Sequence, residues 1–253
     1  MAHPSPLGSV DMLMPDWPAH PRVRAAMTLR TGGVSSAPYD TLNLGAHVGD
    51  DPAAVAENRR RVRESLRLPS EPVWLEQVHG TDVAILDEPG SAREADAAVT
   101  HSPGLVCVIQ VADCMPVLFA ARDGTAVGAA HAGWRGLAGG VLEATIAALR
   151  CPAHELLAWL GPAISQPHFE VGDEVRAAFI AHDSTAAAAF VQNARGRWQC
   201  DLYALARQRL TALGIRHISG GEHCTYADRT RFFSYRRDGR CGRMAAFVWL
   251  TPS

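Results

Sequence analysis

Two imidazoles and one thiol carry the chemistry open to this sequence: His79, Cys114 and His131. Each follows or closes an apolar-rich run, at 72–78, 105–111 and 126–130 respectively. They are separated by 35 residues (79 to 114) and 17 residues (114 to 131), which matches no compact zinc-ribbon pattern, so spacing alone is a weak signal. The residue types say more. Two neutral imidazoles and a thiolate suit a borderline-soft divalent ion and leave a fourth tetrahedral position for water or substrate. Such an ion lowers the pKa of bound water toward ~7. The same residues admit a second reading, in which Cys114 is a nucleophile activated by His131. Asp113, Asp96 or Asp82 would then orient the imidazole, and Arg135 would supply the positive surroundings a catalytic thiolate needs. A ligating cysteine and a nucleophilic one read alike in one dimension, and both readings stand at this point.

A cluster of three or four coppers is a third possibility, and here the sequence argues against it. Such clusters need many histidines, commonly as HxH pairs. The 11 histidines include no such pair, and the nearest two are His217 and His223.

The three side chains can meet only if neighbouring core elements deliver them. Residues 105–111 are apolar and rich in β-branched side chains with no helical spacing, as in a strand buried on both faces. Pro116 lacks a backbone donor, so a break or bulge is expected around 112–116. Residues 122–125 (RDGT) read as a turn and 126–130 as a second strand, so the stretch 104–136 reads as two strands joined by a turn. An Ala/Leu-rich helix is expected over 137–149, its start beside Arg135 offering a seat for an anion.

Elsewhere a first strand is expected at 24–30, leaving through a glycine turn at 31–35 that is not a phosphate loop of the GxxxxGK[ST] kind. Asp51 and Pro52 open a helix with Val55, Val62 and Leu66 on one face, and Asn58 and Arg59 fall on what reads as its solvated side. Further strands are expected at 72–78, 83–86, 95–100, 156–160, 215–218 and 243–250. Helices are expected at 172–183 and 201–213, the second closed by Gly214. Strands and helices alternate without a repeat of fixed period. This predicts one α/β domain over 24–253 behind an irregular, proline-rich lead-in at 1–23.

The composition is that of an ordinary globular chain: 253 residues, 47% hydrophobic and 20% charged. A formal charge of −2 argues against nucleic acid as a partner, because phosphate contacts need a basic surface. No basic segment followed by an apolar one opens the sequence, and no apolar run approaches the roughly 18–20 residues that span a bilayer, so a cytoplasmic chain without a membrane partner is expected. The six cysteines form no CxxC pair and read as free thiols, small buried hydrophobes except for Cys114.

Seven ordered motifs add a resemblance. They are TLRTGGVS (28–35), PYDTLNLG (38–45), HVGDDP (47–52), EQVHG (76–80), ADCMP (112–116), AHAGWRG (130–136) and FFSYRRDG (232–239). Together they resemble the YfiH/YlmD-like family, once labelled laccase-like multicopper polyphenol oxidase, over nearly the whole chain. The resemblance implies an α/β/β/α sandwich of the YfiH-like kind and a mononuclear zinc site with ligands His79, Cys114 and His131, a set that copper could also occupy. It implies phosphorolysis of adenosine, inosine, guanosine or methylthioadenosine, deamination of adenosine, and nucleoside and phosphate as small-molecule partners. The alternatives are an amide hydrolase editing peptidoglycan precursors through Cys114, or a copper-loaded, laccase-like polyphenol oxidase. Arg30 and Asn43 match positions near the family's substrate cleft, and Arg135 follows the last ligand. In two places the sequence departs from the family pattern: Val111 stands where threonine is frequent, and Cys241 replaces a polar residue.

Overall fold

The apolar runs become two sheets, each buried on both faces. The computed structural model describes residues 10–86 and 93–252. Its first half contains β1 (Met12–Leu13), β2 (Val23–Thr28), α1 (Pro52–Leu66), β3 (Val83–Ile85), β4 (Ala97–Thr100), β5 (Val106–Val111), β6 (Met115–Ala121) and β7 (Val127–Ala132). Then follow α2 (Trp134–Gly139), α3 (Val141–Leu149), β8 (Leu156–Leu160), β9 (Glu170–Val171), α4 (Asp173–His182), β10 (Phe190–Gln192), β11 (Trp198–Cys200), α5 (Leu202–Ala212), β12 (His217–Gly220), α6 (Tyr235–Asp238) and β13 (Met244–Leu250).

One sheet has the order β1-β2-β13-β5 and is antiparallel throughout; the larger one runs β12-β8-β6-β7-β4-β3. A small third sheet, β10-β11-β9, lies apart from both. Alternation along β13 shows how the two large sheets stack. Met244, Ala246, Val248 and Leu250 face the inter-sheet core with Leu118 and Ala120 of β6, whereas Ala245, Phe247 and Trp249 face a second cluster with Val62 of α1. On β6 the other parity, Met115, Val117 and Phe119, packs against Leu142 and Ile146 of α3 and Leu205 and Leu210 of α5. The layers are therefore α, β, β, α, as the resemblance implies. No helix among the described residues is long and apolar enough to cross a membrane.

Several local expectations change. The stretch 104–136 holds three strands rather than two, and its first two belong to different sheets. The chain crosses between sheets at 112–114, where Asp113 takes φ 88. Pro116 does not break the ladder. Its carbonyl accepts from Gly161 N–H at 2.9 Å, so its imino nitrogen faces the loop beyond β8 while β7 pairs on its other side. Residues 72–78 form no strand; two isolated bridges, Val73–Cys107 and Glu76–Glu94, take the place of a ladder. At Gln77 a side-chain amide, not a backbone ladder, engages β5.

The helix expected at 137–149 starts earlier, at Trp134, and is divided at Gly140, whose φ of 103 only glycine adopts freely. The Ala-rich segment after α4 becomes a 3₁₀ turn followed by the β10–β11 hairpin. Asn58 is fully buried rather than solvated, and Arg59 lies over the Trp74 ring at 3.7 Å.

Candidate metal centre

The three residues singled out by type converge where the two sheets part. His79 lies in the loop before β3, Cys114 in the crossover between β5 and β6, and His131 near the end of β7. One ligand atom from each lies within 4.8 Å of the others, with Cys114 Sγ 3.8 Å from His79 Nε2. Among the described residues this is the one such group. The donor set fits a single divalent ion, because nitrogen, sulfur and nitrogen converge on a common point that opens to a cavity. Gly133 makes the approach possible. A Cβ there would stand 2.9 Å from Cys114 Sγ and 3.0 Å from His79 Cδ2.

Two carboxylates fix these three side chains. Asp96 is fully buried, and its Oδ1 accepts from His131 Nδ1 at 2.7 Å and from His79 N–H at 2.9 Å. Its Oδ2 accepts from the N–H groups of Val78 at 3.1 Å and Gly80 at 2.6 Å. With Nδ1 held by the carboxylate, His131 turns Nε2 toward the sulfur, the orientation a ligating histidine needs. The same hydrogen bonds hold His79 in left-handed backbone at φ 63, which for a non-glycine residue costs of order 1–3 kcal/mol. Asp113 does the same work for the Cys114 side. Its carboxylate accepts from Thr225 Oγ1 at 2.6 Å, Ser234 Oγ at 3.0 Å and Arg236 N–H at 2.6 Å, tying the crossover to the C-terminal loop.

Electrostatics favour charge separation between sulfur and ring. Burial opposes ionisation of the Cys114 thiol, yet His131 and His79 outweigh it and bring the thiol down to about 6. Burial also opposes the His131 cation, but Cys114 and Asp96 carry it up to about 9. In the metal-free chain the pair is a thiolate beside an imidazolium, and binding a cation displaces the imidazolium proton.

A cavity of about 490 Å³ opens over the triad, and its lining adds His47, Gln77, Gln110, Arg135, Tyr235 and Arg243. A second of about 230 Å³ shares His79, Cys114, Arg135 and Tyr235 and adds Trp134, Phe169 and Arg236. No carboxylate lines the larger cavity. Arg135 makes no ion pair among the described residues and lies 4.5 Å from the centroid of the Trp134 ring. Burial first, then the charges of Arg243 and Arg59, hold the His47 imidazole below its usual range.

The other sequence candidates lie as follows. Arg30 is outside both cavities and donates to the carbonyls of Asp40 and Arg229, stacked 4.7 Å from the Phe233 centroid. Asn43 is fully buried; it accepts from Arg243 N–H at 2.8 Å and donates to Asp50 at 2.9 Å, one residue removed from the cavity wall. Asp82 is exposed and meets Asp96 only through its own carbonyl. Of the aromatic side chains, Phe232 and Phe233 are core and Tyr39 is buried, while Tyr235 is 60% exposed and lines both cavities. The sequence reading missed Gln77, Gln110 and Arg243 as cleft residues, because nothing in one dimension places the C-terminal strand beside β5.

Comparison with known proteins agrees with this architecture. A family model described as multi-copper polyphenol oxidoreductase laccase matches residues 24–251. A Pseudomonas aeruginosa protein named purine nucleoside phosphorylase is 57% identical, covering 94% of this chain and 98% of its own length. The Escherichia coli protein named purine nucleoside phosphorylase YfiH is 54% identical with the same coverage. Among solved structures, a Neisseria meningitidis protein superposes with TM-score 0.92 at 49% identity, over 95% of this chain and 99% of that one. YlmD from Geobacillus stearothermophilus does so with TM-score 0.88 at 32% identity, over 99% and 98%.

Proposed function

The chain belongs to the family described as multi-copper polyphenol oxidoreductase laccase, and from that premise we propose that it is a metal-dependent purine nucleoside phosphorylase, the activity named for its curated relatives. The observation that carries the reading is the convergence of His79, Cys114 and His131 with Arg135 on one cavity free of carboxylates. Inorganic phosphate is an anion, and the larger cavity offers it arginines without a competing acid, while the Asp113 carboxylate of the adjoining cavity is taken by Thr225, Ser234 and Arg236.

In this reading Arg135 and Arg243 hold phosphate beside the ribose. A phosphate oxygen bonds to C1′ as the C1′–N9 bond breaks; the electron pair leaves with the purine, which takes a proton, and ribose 1-phosphate remains. A bound divalent ion supplies Lewis acidity in this cleft. His131 and His79 are oriented for it by Asp96, and Tyr235 offers its ring as a stacking face for the base. Zinc is the ion we assign, with copper the other ion this ligand set accepts. Adenosine, inosine, guanosine and methylthioadenosine are the assigned substrates. Adenosine deamination, in which water replaces the C6 amino group and ammonia leaves, is assigned to the same centre. Arg30 and Asn43 support the loops that bound the cleft.

Purified chain loaded with zinc and given inosine and phosphate should release hypoxanthine and ribose 1-phosphate. Cys114→Ala should abolish that turnover together with bound metal, and no ribose 1-phosphate from the loaded wild type sinks the proposal. A second reading has its own support, the line Asp96–His131–Cys114, which is also the arrangement of an activated cysteine nucleophile. Amide hydrolysis that persists after chelation and vanishes in Cys114→Ala would establish it instead.

A further inference from the structure

One side chain in the cleft keeps its hydrogen-bonding capacity unspent. Gln110 is 6% exposed and sits on β5, with both backbone groups taken by the amide of Gln77. Gln77 Nε2 donates to the Gln110 carbonyl at 2.9 Å, and Gln110 N–H donates to Gln77 Oε1 at 2.8 Å. The Gln110 side-chain amide itself makes no hydrogen bond among the described residues, and its buried Oε1 has no partner. By strand parity Gln110 shares a face with Val106 and Val108, which fill the apolar cluster under α1. An apolar side chain would be the stabler choice there, since a buried amide oxygen without a donor is destabilising. Gln110 is among the residues lining the 490 Å³ cavity, with His79, Cys114, His131, Arg135 and Arg243.

We infer that Gln110 reads the six-position edge of the purine in this cavity. An amide carries a donor and an acceptor side by side, which complements O6 and N1–H of a 6-oxopurine. Turned about its soft terminal torsion, it complements N1 and the C6 amino group of adenine instead. One residue thus serves both classes of base, and a bidentate amide–base contact is worth roughly 10- to 100-fold in discrimination. The inference rests on the nucleoside reading above and adds which atoms of the base are recognised.

Gln110→Glu tests it. The variant presents acceptors only, and Arg135 and Arg243 in the same cavity keep its carboxylate ionised. At the six-position edge it meets one donor and one lone pair on either base, N1–H and O6 of a 6-oxopurine or the C6 amino group and N1 of adenine, so one of the two hydrogen bonds becomes a repulsion. KM for inosine and for adenosine should each rise at least about tenfold, and calorimetric affinities without phosphate should fall alike. Gln110→Met, of similar length and apolar, should raise KM for both nucleosides about tenfold with kcat and bound metal retained. KM unmoved in either variant overturns the inference while leaving phosphorolysis intact. Wild type that binds nucleosides, with affinity lost in both variants, but forms no ribose 1-phosphate leaves base reading standing and ends the phosphorylase reading. Wild type that neither binds nor turns over nucleosides ends both.

Discussion

Asp96 has four accepting positions and uses all of them inside the centre, three on the His79 loop and one on the His131 ring. Asn in its place keeps one accepting oxygen and turns an NH₂ toward backbone N–H groups. Asp96→Asn should therefore weaken metal binding by roughly 10- to 100-fold, measured against a competing chromophoric chelator; affinity within twofold of wild type would refute the positioning role. A second prediction concerns the sulfur. In metal-stripped chain, Cys114 should react with iodoacetamide at neutral pH. The rate should fall as pH drops through about 6, because the thiolate disappears there, and metal loading should protect it. Burial pushes Cys107 and Cys200 well up, so they should stay unreacted in the folded chain. A half-maximal rate near pH 8.5, that of an ordinary thiol, would contradict the charge-separated pair. At this scale the three candidate ligands stand out in the sequence because imidazole and thiol are scarce and chemically distinct, and the fold brings them together. Which of three acids orients His131 was not, because that choice follows from the β4–β7 register, Ala97 against Ala130, which sets Asp96 beside His131.

Helix α1 closes one outer face, and its hold on the cleft side runs through Asn58. The Asn58 amide donates to Ser35 Oγ at 2.8 Å and to the Asn43 carbonyl at 2.9 Å, and its oxygen accepts from Val34 N–H at 2.8 Å. It adds to the backbone hydrogen bonds of the loop at 33–45, such as Ser35 N–H to the Thr41 carbonyl at 2.9 Å, and ties that loop to the helix. Asn58→Ala strands these buried groups and should cost about 2 kcal/mol. For a chain of this size that lowers Tm by about 4–8 °C, read by calorimetry. A change under 1 °C would mean that water replaces the amide without loss. The helix itself was legible from Asp51, Pro52 and its apolar spacing, and Asp51 does cap it, accepting from Ala53 N–H at 3.0 Å. The inward turn of Asn58 was not, since a polar residue inside a helix reads as solvated unless its loop partners are known. The strands were legible for a related reason: both faces of both sheets are buried, so each run is continuously apolar. Their division between sheets was hidden, because three residues at 112–114 suffice to cross from one sheet to the other.

Across the whole molecule, the three candidate ligands are carried by segments 35 and 17 residues apart (79 to 114, 114 to 131), yet each is locked by groups other than a metal. Asp96 holds two of them and Asp113 pins the crossover of the third, while three apolar clusters fill the layers on either side. The centre is thus preformed, unlike a small domain whose only core is its ion. Removing metal should therefore leave the far-ultraviolet circular dichroism unchanged and lower only the melting point. At free metal a hundredfold above Kd, binding contributes about 2.7 kcal/mol, so chelation should lower Tm by about 5–10 °C for a chain this long. Cys114→Ala should melt near the metal-free value and respond little to added metal. Loss of secondary structure on chelation at 25 °C would show instead that the ion, and not the two stacked sheets, brings these three side chains together.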